Sequence, residues 1–228
     1  MMCPECNSDF DRLGTHLSLG SCDYPKISNQ NKRILKGVLM GDSWIPSSYR
    51  NNPQMILDMC NKDFLTHFQK KLGWLCSSVN MIRTAEKSAE NNRRQGFRPN
   101  ANSKDYSNVY RLTTITHPWF RNIRDNWYIG SNKNIPVEKI SPSPKLLKMW
   151  YVSDGGYLKR DKRNPYAYFR LDSHSHKAKH FSKLLTRVGV KNNIRDNGNV
   201  IAITTDSTEK FLNYIGDPEI GFEYKWGL

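Results

Sequence analysis

Apolar positions fall into the same helical spacing at two places along the chain. Ile34, Leu35, Val38 and Leu39 lie on one face of a 3.6-residue repeat, and Leu146, Leu147, Trp150 and Tyr151 reproduce that spacing. Each run ends in an aspartate followed by a small residue, Asp42-Ser43 and Asp154-Gly155. Gly37 and Gly41, four positions apart, leave a flat strip on the first helix where another backbone can approach. The second helix has Met149 and Ser153 at those positions, so the packing of the pair need not be symmetric. Ser143 can cap the second helix, Pro144 suits its first turn, and Gly155 can end it.

The segments after each helix alternate like strands and then return to helical spacing. In the second half, 157–160 and 166–172 read as strands, the latter with Ala167, Phe169 and Leu171 on one face and Tyr168 and Arg170 on the other. A helix is expected over 175–188, with Phe181, Leu184, Leu185 and Val188 inward. Asn197-Gly198 signals a hairpin before a strand over 200–205, and Asp206 with Glu209 can form a capping box for a helix through Ile215. The first half follows the order more loosely: strands over 54–60 and 110–116, and a helix over 62–72 with Phe64, Leu65, Phe68 and Leu72 on one side. The stretch 84–105, containing RRQGFRPN, shows neither period. It reads as a basic loop that orders on a phosphate backbone or, equally, as a solvated insertion.

A carboxylate is mildly unfavourable at a helix C-terminus, where the partial charge is already negative. One such acid is ordinarily a solvated residue where a helix stops; the same acid in two matched contexts points to chemistry. If the helices pack together, the carboxylates raise each other's pKa unless a cation neutralises them, and an all-oxygen donor set suits Mg2+. The 228 residues are enough for one substantial core or two smaller ones. With 35 Lys and Arg against 21 Asp and Glu, the net charge is +14, which favours a polyanionic partner and places nucleic acid ahead of a membrane. No apolar run is long enough to span a membrane, and MMCPECNSDF lacks the apolar core of a signal peptide, so an intracellular, cytoplasmic protein is expected.

Five cysteines without even spacing argue against a disulfide scaffold. Cys60 and Cys76 sit in apolar surroundings and are expected to be reduced and partly buried. Cys3, Cys6, His16 and Cys22 give C-x2-C-x9-H-x5-C, a donor set for tetrahedral Zn2+. So short a segment has little core, and metal binding would supply most of its folding free energy. The alternative is a set of incidental thiols.

LKGVLMGDS and LKMWYVSDG resemble the paired motifs of the LAGLIDADG homing endonucleases, in the form where one chain carries two repeats. THPWFRNIRDNWYIGSNKNIP (116–136) resembles the family's approach to its second motif, and FEYKW (222–226) resembles its C-terminal end. Two departures stand out: Ser43 replaces the motif's final glycine, and Ser153 precedes the second aspartate where many members have another acid.

The resemblance implies an α+β fold of two αββαββα repeats forming a pseudo-two-fold saddle; the small zinc-binding segment read from the Cys and His spacing precedes it and lies outside that shared core. The expected divisions are 1–26 for that segment, 27–141 for the first half and 142–228 for the second. It assigns Asp42 and Asp154 to the catalytic divalent metal, Mg2+, and places Lys133 and Lys225 beside them. It implies cleavage of both strands of a long, nonpalindromic double-stranded DNA across the minor groove, leaving 3′ overhangs, by a monomer. The sheets would lie in the major groove, with Arg111, Thr113, Tyr168 and Arg170 as candidate DNA contacts. Two other readings remain open: an intron-splicing RNA maturase of the same fold, with intron RNA as partner, and a noncatalytic DNA-binding regulator.

Overall fold

The computed structural model describes residues 1–47, 53–160 and 163–228. They form two compact units: Met1–Pro25 with Ser43–Arg121, and Lys26–Asp42 with Asn122–Leu228. Among the described residues no helix is long and apolar enough to cross a membrane.

The first unit contains a short N-terminal helix α1 (Leu13–Ser18) and a sheet of β1 (Ser43–Trp44), β2 (Ile56–Met59), β3 (Cys76–Arg83) and β4 (Val109–Thr114). The strands are antiparallel in the order β1-β2-β4-β3, and β4 opposes Leu112 to Leu57 and Arg111 to Asp58. Helix α3 (Lys62–Leu72) covers the sheet with the fully buried Phe64, Leu65 and Phe68. Each such burial stabilises by roughly 1.5–3 kcal/mol. Asn61 caps α3 by accepting from the Phe64 N–H at 2.9 Å, and Gly73, at φ +58°, ends it where a side chain would be strained.

The stretch 84–105 is not a loop. It forms helix α4 (Ala85–Arg94), with Thr84 accepting from Lys87 N–H, followed by a 3-10 turn, Ser103–Asp105, closed by an Asn102/Asp105 capping box. Periodicity missed this helix because it buries only Ser88 and Ala89; its signals are the cap and a run of good helix formers. Strand β3 is equally hidden, since most of its side chains face solvent and show no apolar alternation.

Helix α5 (Pro118–Trp127) runs from the first unit into the second. The second unit holds α2 (Asn29–Met40), the two-stranded β5 (Tyr128–Ile129) and β6 (Asn132–Lys133), and α6 (Pro144–Asp154). After these come β7 (Gly155–Arg160), β8 (Arg163–Arg170), α7 (Ala178–Thr186), β9 (Asn192–Arg195), β10 (Val200–Ile203) and α8 (Thr205–Ile215). Its sheet has the order β7-β8-β10-β9, the pattern of the first sheet, so the order αββαββα occurs twice, with α4 inserted in the first copy. The core gathers Trp150, stacked on Phe169 at 3.9 Å, with Tyr151, Phe181 and Phe211 around them. The expected helix over 175–188 is shorter, because Asp172–Lys177 forms a 3-10 turn first. The predicted capping box at Asp206 is absent: Thr204 holds the N-cap position and makes no side-chain cap bond.

Candidate active site

Both motif helices lie in the second unit and pack against each other through Gly37 and Gly41. A Cβ on Gly37 would overlap the Leu146 carbonyl and stand 2.6 Å from Met149 Cβ. One on Gly41 would overlap Ser153 Cβ and stand 3.1 Å from Asp154 Oδ1. The helices meet where the first has no side chains, and this close approach positions their C-termini. Asp154 is the last residue of α6, and Asp42 follows the C-cap Gly41 of α2.

The two lysines address the charge problem at those ends. Lys133, on β6, donates from Nζ to the Gly41 carbonyl at 2.7 Å. Lys225, in the 3-10 turn Glu223–Trp226, donates to the Val152 carbonyl at 2.7 Å and to the Ser153 carbonyl at 3.2 Å. A cation at each C-terminus complements the partial negative charge that makes the aspartates unfavourable there. Tyr151 fixes Lys225 from behind, its hydroxyl donating to the Lys225 carbonyl at 2.7 Å.

These four groups perturb one another. Burial first, and then the Asp42 charge, push the Asp154 carboxyl up to about 7, against the pull of Lys133, the Trp150 N–H and Lys225. Desolvation also raises Asp42, opposed by Lys225 and Lys133. Desolvation brings both lysines down to about 8, although each feels both aspartates. A partly buried carboxylate whose protonation is raised by the charge of a second one is a donor pair that a hard divalent cation suits.

The candidate DNA contacts lie on the sheets and not among these four. In the first unit the Arg111 fork bonds Asp58 at 2.7 Å through both Nε and Nη2 and lies over Trp44, 5.5 Å from the ring centroid. Thr113 is half-buried beside it. In the second unit Arg170 is exposed, and Tyr168 lies over Gly156, where a Cβ would come within 2.5 Å of the ring. Sequence reasoning missed Arg195, which lies over the Tyr166 ring at 5.2 Å, and Asp58. It also missed Trp150, whose Nε1–H donates to Asp154 Oδ2 at 3.3 Å. The i, i+4 spacing of Trp150 and Asp154 was the available signal.

At the N-terminus Cys3, Cys6, His16 and Cys22 each bring a ligand atom within 4.8 Å of the others, with Cys6 Sγ 3.6 Å from His16 Nε2. A backbone hydrogen bond at Ser8 brings the Cys6 thiol down to about 6, whereas burial and then the neighbouring Cys6 and Cys3 push the Cys22 thiol up to about 11, so that the thiols share the charge unequally before a metal is bound. Phe10 stacks on His16 at 3.8 Å. The cluster can hold a metal ion. All five cysteines are free; Cys76 is buried as expected, whereas Cys60 is exposed, because it follows the end of β2.

Fold and site together define a repeat protein whose paired helices carry a carboxylate at each C-terminal end. The chain belongs to the LAGLIDADG DNA endonuclease family, whose description matches residues 32–211. Among solved structures it is similar to the homing endonuclease I-WcaI bound to its DNA recognition sequence: 16% identical, covering 88% of each chain, with a TM-score of 0.70 that establishes a shared fold. It also matches I-GzeII in complex with its DNA target, 11% identical over 85% of this chain and 86% of that one, with a TM-score of 0.44. No curated protein matches the chain significantly.

Proposed function

We infer that this protein is a site-specific DNA endonuclease that hydrolyses both strands of a long, nonpalindromic duplex target and leaves 3′ overhangs. The observation carrying this reading is the convergence of two carboxylates and two desolvated lysines at the C-termini of paired helices. Asp42 and Asp154 would hold divalent cations, Mg2+ in this reading; when bound, these supply an activated water and charge neutralisation at the phosphodiester oxygens. Lys133 and Lys225, held by helix-end carbonyls, add fixed positive charge beside the scissile phosphate and need not reorganise during reaction. Arg111, Thr113, Tyr168 and Arg170 contact the DNA from the two sheets, and the +14 net charge draws in the backbone. One chain supplies both carboxylates, so a monomer suffices.

Plasmid libraries carrying random inserts, incubated with Mg2+ and sequenced at linear ends, test the reading. The wild type is expected to cut one long sequence with 3′ overhangs, and Asp42→Asn and Asp154→Asn are expected not to. A library left intact by the wild type would favour the maturase or regulator, and cutting by the doubly substituted protein would sink the mechanism.

The N-terminal cluster is assigned to one structural Zn2+ per chain, supported by its donor set of three cysteines and one histidine, whose ligand atoms lie within 4.8 Å of one another. Elemental analysis of purified protein is expected to find one equivalent, and a Cys3→Ser, Cys22→Ser variant none. A metal-free wild type would remove the assignment.

A further inference from the structure

The carboxylates at the two helix ends are held differently. One turn before Asp154, the Trp150 indole donates to Oδ2. Its direction is fixed, because the ring is fully buried, stacks on Phe169 at 3.9 Å and 22°, and lies 5.0 Å from Phe181. The other oxygen, Oδ1, faces the Gly41 backbone of α2. One turn before Asp42 the chain has Val38, which has no side-chain donor. A donor that occupies one carboxylate oxygen fixes where the other points, and such outer partners typically change metal affinity about 10–100-fold.

We propose that Trp150 is a positioning residue that presets Asp154 Oδ1 for a divalent cation, so that the two halves of the site bind cations unequally and the Asp154 side binds tighter. The inference rests on the metal-binding reading above. It adds an asymmetry that motif spacing does not contain, because the two helices differ at the residue one turn before the acid.

The zinc-loaded full chain, labelled with 15N-tryptophan, provides the test. Six indole N–H signals are available, and Trp150→Phe, which keeps an aromatic ring against Phe169 and removes the donor, identifies the relevant one. During a Mg2+ titration the Trp150 signal is expected to move saturably, and in Asp154→Asn to stay still. Calorimetry with Mn2+ is expected to show about tenfold weaker binding at the tighter site in folded Trp150→Phe. A Trp150 signal unmoved while Mg2+ saturates the protein, or unchanged Mn2+ affinity in the variant, overturns the inference and leaves the metal-binding reading intact. No cation uptake by the wild type overturns both. If Trp150→Phe does not fold, the wild-type titration decides alone, with Trp150 assigned through its contacts to Phe169.

Discussion

The ends of α2 and α6 carry the same acid but are built in opposite ways. The first is made largely of absences: Gly37 and Gly41 withdraw to admit the partner helix, Val38 offers its aspartate no donor, Asp42 keeps an exposed surface, and Lys133 on the Gly41 carbonyl is the cap that remains. The second is made of contacts: Met149 and Ser153 fill the strip, Trp150 holds Asp154, and Lys225 with Tyr151 fixes the carbonyls behind it. Repetition of a motif therefore preserves the acid, while the surroundings divide the work of close approach and of fixation.

The largest expected effect comes from making the first helix resemble the second. Gly37→Ala drives a methyl into the Leu146 carbonyl and is expected to lower stability by roughly 2–3 kcal/mol in urea denaturation. The reciprocal Ser153→Gly should cost about 1 kcal/mol, the ordinary penalty for glycine in a helix. Equal losses for the two would show that the close approach is not borne by the glycines.

Lys225→Met comes next. It leaves buried carbonyls at the end of α6 unpaired, and a loss on the order of 1–2 kcal/mol is expected together with loss of DNA cutting. Thermal melting that matches the wild type would mean that water replaces the ammonium.

Asp154→Asn should act in the other direction. Because the folded carboxyl titrates near 7 against an ordinary value of 3.8, the native state holds more protons than the unfolded chain between those values. Wild-type stability therefore falls as pH rises through that window, and the substitution removes the loss. With no Mg2+ added and the zinc left in place, the variant is expected to be more stable by on the order of 2 kcal/mol at pH 8 and equal to the wild type at pH 4. Asp42→Asn should show the same sign with a smaller gain, since that residue stays exposed. A pH-independent difference would break the comparison.

The smallest expected effect is on the first sheet, where Asp58→Asn releases the Arg111 fork. A stability change under about 1 kcal/mol is expected for this partly exposed pair. A change in DNA affinity, measured by salt-dependent binding, would place Arg111 at the interface.

Much of this was legible in the sequence, and for identifiable reasons. The motif helices were readable because their apolar stripes are long and their ends punctuated, and the second sheet because β8 alternates cleanly from Tyr166 to Arg170. Helix α4 and strand β3 were not, because neither buries enough apolar surface to show a period. Asp42 and Asp154 were legible as the same acid at two matched helix ends, whereas Lys133 and Lys225 came only through family resemblance, because lysines distant in sequence carry no local signal of the charges they meet. The Trp150 bond escaped because an apolar stripe conceals the one member with a polar edge.

The glycine strip also governs how the molecule can be taken apart. Since α2 belongs to the same compact unit as α6, a fragment cut between the repeats would leave Leu146 and Met149 without their covering helix. Such a fragment would expose an apolar seam and aggregate. Any chimaera of halves from different relatives must match glycine to bulk along that seam before its DNA-reading surfaces can matter.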